Sequence, residues 1–254
     1  MLHLLHRKAL SITLLCFSLG TLAQSAYADG TELEVYRDDI ADAGESNLDF
    51  AANAVQTSRQ DDGQRRTVFQ AVGEYAYGID DVWQVGVKLP VSYVDGVWRA
   101  DGLLSEIKFV LPHEKTGWYW GAEFEIGYES TPTEKQQWTI EATPIAGVRA
   151  GDWEFVFNPG LSISSGDDNR GAVLFEPSAK LAYRVINGGA LGVEYFSEAG
   201  PIRSILPGRE RNELAFVTFD TKIEKSAINF GVGHGVNGSS PGWAIKMVAD
   251  LEFD

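Results

Sequence analysis

From Asn47 to Phe253 apolar and polar residues alternate with a period of two over most of the chain. Successive β side chains point to opposite faces, so this pattern predicts strands with one apolar and one polar side. Segment 82–93 sets Trp83, Val85, Val87, Leu89, Val91 and Tyr93 against Gln84, Gly86, Lys88, Pro90 and Ser92. Segment 117–129 sets Trp118, Trp120, Ala122, Phe124, Ile126 and Tyr128 against Tyr119, Gly121, Glu123, Glu125, Gly127 and Glu129. Twelve segments can be drawn this way: 47–57, 66–79, 82–93, 102–112, 117–129, 138–149, 152–164, 172–185, 190–202, 212–223, 227–237 and 243–253. Tight links, such as Ile79-Asp80-Asp81 and Ala150-Gly151, alternate with mostly longer polar ones, such as 58–65, 94–101, 130–137, 165–171 and 203–211.

Soluble sandwiches and barrels also alternate, but three features favour a membrane wall. The segments exceed the ~5–6 residues of globular strands and suit the ~9–11 of tilted membrane strands. The apolar face carries no charged residue in segments two to nine or in the last two. Six of the seven tryptophans, Trp83, Trp118, Trp120, Trp138, Trp153 and Trp243, fall near the ends of that face with Tyr93, Tyr128 and Phe253, as interfacial girdles require. No apolar run after the N-terminus is long enough for a spanning helix, which leaves a closed barrel as the way to satisfy every backbone group in lipid. The predicted fold is all-β: a twelve-stranded antiparallel transmembrane β-barrel with both ends in the periplasm. Pro90, Pro144, Pro159 and Pro177 fall inside segments and predict bulges or displaced strand ends. Leu214 and Phe216 break the pattern by pointing to the polar face.

Ahead of the barrel, Arg7-Lys8, the apolar run from Ala9 to Leu22 and Ala26-Tyr27-Ala28 read as a cleaved signal peptide over 1–28. Residues 29–46 are a periplasmic segment or a small plug, with Leu33, Val35, Asp38, Asp39 and Asp42 able to fold into a lumen; 47–254 form the barrel. The chain carries a formal net charge of -15, and removing Arg7 and Lys8 makes the mature part more acidic still. That speaks against a nucleic-acid partner.

Ala244-Ile245-Lys246-Met247-Val248-Ala249-Asp250-Leu251-Glu252-Phe253 resembles the terminal strand read by the barrel-assembly machinery of outer membranes. Tyr75-Ala76-Tyr77-Gly78-Ile79-Asp80-Asp81-Val82-Trp83-Gln84-Val85-Gly86 and Phe230-Gly231-Val232-Gly233-His234-Gly235-Val236 resemble a group of proteobacterial twelve-stranded barrels that includes phenol-degradation-pathway transporters. The resemblance implies an outer-membrane location, with lipid and the assembly machinery as partners, and transport by association only.

The polar face places Glu74, Glu106, Glu123, Glu125, Glu141, Glu154, Glu176, Glu194, Asp220 and Asp250 in the lumen with Lys88, Lys108, Arg149, Lys180, Arg184, Lys222 and Lys246. Acidic rings favour cations, so a passive channel or small-solute uptake barrel is the leading expectation. The alternative is a filled structural or surface-binding barrel whose charges pair across the lumen, since small barrels are packed by side chains. A lipid-modifying enzyme using His234 near Ser239 and Ser240 lacks an identifiable third group, and the glycines around it read as packing residues. No catalytic residue, cofactor or metal is expected. His113 reads as a solvated turn residue, and Gly166-Asp167-Asp168-Asn169 as turn chemistry rather than a Ca²⁺ site.

Overall fold

The computed structural model describes residues 33–57, 65–94, 96–130, 137–165, 171–186, 188–223 and 226–252. The expected signal peptide over 1–28, residues 29–32 of the segment expected after it, the 166–169 loop and Phe253 lie outside the described residues. Among the described residues thirteen strands form one sheet: β1 (Ser46–Gln56), β2 (Thr67–Gly78), β3 (Trp83–Val94), β4 (Val97–Ala100), β5 (Gly102–Val110), β6 (Gly117–Glu129), β7 (Gln137–Ala150), β8 (Trp153–Ser164), β9 (Leu174–Ile186), β10 (Gly189–Glu198), β11 (Asn212–Ile223), β12 (Ser226–Gly235) and β13 (Trp243–Glu252). Neighbours pair antiparallel, and β1 pairs with β13 from Asn47↔Glu252 to Val55↔Ala244, which closes the barrel.

β4 and β5 are one stave broken at Asp101, so the wall has twelve staves. β3 pairs β5 as far as Lys88↔Leu104 and β4 from Val91↔Ala100, a slip of one residue beside Pro90. Proline has no N–H to give the ladder, and the irregularity falls where that donor is missing. The link 94–101, expected as a loop, instead continues the two strands into a hairpin that turns at Gly96, where φ is 87°. Pro159 on β8 faces Pro177 on β9 directly. Beside them, the β7–β8 ladder is interrupted around Pro144, between Ala142↔Leu161 and Ala146↔Phe157. The strands run on through these gaps, and Asn158 Nδ2 donates to the Pro144 carbonyl at 3.4 Å.

Burial is inverted relative to a water-soluble protein. Trp118, Ile126, Val217 and Ile245 are exposed on the outside, while Lys88, Glu123, Lys180, Glu194 and Lys246 are buried inside. An apolar exterior over a charged interior is stable only when lipid covers the exterior. Trp83, Trp118, Trp120, Tyr128, Trp138, Trp153 and Trp243 are all exposed on that surface, and Tyr93 is half-buried between Phe69 and Trp98. Several form cross-strand ring pairs, including Trp153–Tyr183 at 4.8 Å and Tyr128–Trp138 at 5.5 Å.

Candidate functional site: the occupied lumen

Residues 33–43 run inside the barrel and turn out of it at Gly44, whose φ of 80° suits glycine. The Gly44 N–H donates to the Gly78 carbonyl at 2.8 Å and the Gly78 N–H to Glu45 at 3.0 Å. The segment therefore enters from the end that carries the tight turns, the end that transmembrane barrels keep on the periplasmic side. Its Leu33 reaches the level of Val55, Leu214 and Ala244, near the opposite ends of β1, β11 and β13.

Two apolar side chains seat the segment. Leu33 packs with Val55, Leu214, Phe216 and Ala244, and Val35 packs with Tyr119, Ile145 and Val156. These contacts explain why Leu214 and Phe216 break the alternation: they face inward to meet the segment. The wall is shaped for both seats. A Cβ at Gly147 would come within 2.0 Å of the Tyr119 ring, and one at Gly233 within 2.6 Å of the Phe216 ring. Glycine at each position lets an aromatic ring lie flat along the inner wall.

Polar contacts bind the segment to staves around the circumference. Lys88 of β3 donates to the Tyr36 hydroxyl at 3.3 Å, Asn158 of β8 to the Tyr36 carbonyl at 3.1 Å, and Lys246 of β13 to the Leu33 carbonyl at 2.7 Å. Gln84 accepts the Ala41 N–H at 2.7 Å. Near the periplasmic rim, Asp38 takes two bonds from Arg149, each 2.5 Å, and one contact from His113 at 2.7 Å. Burial works against ionisation of Asp38, but Arg149 and His113 outweigh it and hold the carboxyl below its ordinary value. His113 is exposed in the β5–β6 turn, as its sequence reading has it, and from there it also clamps the segment; both its ring nitrogens face oxygens, of Asp38 and of the Leu111 carbonyl.

The expected lumen charges lie on the inner face in two lysine-centred groups and a rim. Lys88 meets Glu106 and Glu123 at 3.1 Å, Glu74 at 3.9 Å, and Glu125 in a shorter contact. Lys108 is buried beside this group, 5.6 Å from the Tyr36 ring. Across the lumen Lys180 meets Glu194 at 2.9 Å and Asp220 at 2.6 Å, and Lys246 pairs with the other Glu194 oxygen. Gly231 on β12 leaves the space through which Lys246 stretches. Arg149 pairs Glu154 at 2.7 Å, and Glu154 also meets Arg37 at 3.7 Å. Glu141 and Glu176 are half-buried and line a chamber of about 140 Å³ on the outer side of Leu33 and Tyr36. A second chamber of about 250 Å³, on the periplasmic side, is lined by Arg37, Asp39, Lys180, Asp220, Lys222 and Asp250 among others. Arg184 and Lys222 are exposed at the periplasmic end, where Arg184 meets Asp152 at 3.6 Å.

Tyr36, Arg37, Gln84, His113 and Asn158 were not singled out as lumen residues by the sequence. The signal was partly there: Gln84 has inward parity in β3, and Asn158 in β8. Asp49, inward on β1 and directly opposite Asp250, was missed as well. His234 faces outward, packs edge-on against Trp243 at 4.9 Å, and places Nδ1 2.7 Å from the Gly235 carbonyl. Ser239 Oγ donates to the Arg209 carbonyl instead. Glu106, Glu123 and Glu125 lie close enough to share an ion, but Lys88 is the cation that stands among them.

No protein-family model matches the chain, and no curated protein sequence does. Its fold is similar to solved outer-membrane proteins. An outer membrane channel from Pseudomonas putida F1 aligns over 87% of this chain and 100% of its own, with a TM-score of 0.62 and 13% identity. The KdgM porin, solved in complex with disordered oligogalacturonate, aligns over 82% and 99%, with a TM-score of 0.56 and 9% identity. The closed wall, its apolar exterior and these likenesses make the chain an outer-membrane-type β-barrel.

Proposed function

We propose that this chain is an outer-membrane channel for small solutes whose lumen its own N-terminal segment closes. The carrying observation is the course of residues 33–43, which occupy the lumen and bond to β3, β7, β8 and β13. A barrel needed only as a wall could pack its interior with strand side chains, as small barrels do. Here the centre is filled by a segment continuous with the wall at Gly44–Glu45 and otherwise held by ion pairs, hydrogen bonds and two small apolar seats. Such contacts break and re-form without unfolding a β ladder. The likeness to the Pseudomonas putida F1 channel and the KdgM porin supports the architecture this reading needs.

Glu141 and Glu176 in the outer chamber favour cations approaching from outside. Bilayer recording under a salt gradient tests this: cation-preferring openings are expected, with preference reduced when Glu141 and Glu176 become Gln. Anion preference would reject it. One observation favours a filled structural barrel instead: Lys88 and Lys180 are each paired with more than one carboxylate and occupy lumen space of their own. That reading requires silence even after the segment is removed.

A further inference from the structure

Leu33 is held by the wall in the way a bound small molecule would be. Its side chain is 5% exposed among Val55, Leu214, Phe216 and Ala244, with Phe196 packed against the group. Its carbonyl accepts a 2.7 Å bond from Lys246. The Lys246 ammonium lies 5.2 Å from the Phe196 ring and 5.7 Å from the Phe216 ring, and Glu194 pairs with it. The seat thus offers an aliphatic pocket with one fixed donor at its edge. The donor's charge is already balanced within its group, where Glu194 and Asp220 face Lys180 and Lys246, so a neutral oxygen acceptor suits it better than a further carboxylate.

The outer chamber abuts this seat, for Leu33, Leu214 and Phe196 line both. Its volume of about 140 Å³ gives room for a molecule near benzene's size, with apolar contact on the side of Leu33, Leu214 and Phe196 and glutamates elsewhere on the wall. A molecule of that size reaching the chamber from outside meets Leu33 directly.

We propose that the Leu33 seat is a binding site for a small apolar molecule with a neutral carbonyl acceptor, and that such a ligand displaces Leu33 and loosens the segment. The proposal rests on the channel reading for its consequence, though not for the site itself. The seat's present occupant defines the ligand class: a branched aliphatic body of leucine's size next to a carbonyl that Lys246 can reach. The segment competes with the ligand, so affinity falls by the fraction of time the seat is free.

The test uses isocaproamide, which reproduces the leucine side chain and carbonyl, with acetamide as the probe lacking the apolar body. Binding is titrated calorimetrically on the refolded mature chain, on Leu33→Ala and on Leu33→Ala/Leu214→Gln, each shown to be folded by heat-modifiable gel migration. Isocaproamide is expected to bind Leu33→Ala about tenfold more tightly than the unsubstituted chain, as removal of an internal competitor requires. Acetamide should not bind, and Leu214→Gln should abolish the gain. Equal affinity for the unsubstituted chain and Leu33→Ala, or a gain that survives Leu214→Gln, would overturn the site. Conductance of the same samples separates the two ideas. Raised conductance in Leu33→Ala without isocaproamide binding rejects this site alone, whereas binding with silent bilayers, even after the segment is deleted, rejects the channel and not the seat.

Discussion

Asp38 and Arg149 lie 111 residues apart in sequence and meet through two bonds of 2.5 Å, tying the segment before β1 to the periplasmic end of β7. A two-point carboxylate–guanidinium contact fixes direction as well as distance. Asp38→Asn should weaken the tie, raise the open fraction in bilayers, and leave the barrel folded. Arg149→Lys should act in the same direction, because a single ammonium cannot reproduce the paired geometry. If both variants gate like the unsubstituted chain, the clamp does not control the segment.

The pH dependence of this clamp has a defined sign. The folded-state carboxyl of Asp38 is held below its ordinary value, chiefly by Arg149 once burial is overcome. Such a group stabilises the docked segment above the unfolded carboxylate value of about 3.9 and loses that contribution as pH falls through the lower folded value. From this carboxyl, release is expected only in strongly acid solution, and not between about pH 5 and 8. Protease cleavage within residues 33–45 across a pH series would read it. Cleavage in Asp38→Asn should lose the acid step.

Lys88 stands among Glu74, Glu106, Glu123 and Glu125, all buried. Removing one partner from a buried ionic group leaves uncompensated charge and costs about 3–5 kcal/mol. Lys88→Met should therefore lower stability toward urea by an amount of that order, with Lys88→Arg intermediate. A neutral effect would mean that lumen water already screens the group.

The lipid-facing assignment is testable at one stave. Phe124 is exposed while its neighbour Glu123 is buried inside. Phe124→Arg should cost about 2–4 kcal/mol if it lies near the bilayer midplane. A cost near zero in lipid, measured by reversible unfolding, would mean that this face meets water.

The wall was legible in the sequence because lipid outside and polar groups inside impose a strict two-residue period, and each strand declares both faces. Strand ends near 46, 117 and 243 follow from where that period stops. The Val97–Ala100 strand was not legible, since it stands beyond the lipid band with no buried face to pattern it. The course of the N-terminal segment was open for a related reason. Leu33 and Val35 alternate as a short strand would, but a segment bonded mainly through side chains carries no ladder signature. Leu214 and Phe216 were the best clue: apolar residues facing a charged lumen must meet something apolar there. The contact of His113 with Asp38 was not legible because the two lie 75 residues apart.

The central claim is that the segment closes the lumen, and deletion of residues 29–45 tests it most directly. Single-channel conductance of the refolded mature chain is compared with that of the shortened chain, both checked for folding by heat-modifiable migration. The intact chain should be mostly closed, and the shortened one should give steady, cation-preferring openings. Equal conductance in the two, or silence from a folded shortened barrel, would contradict the account.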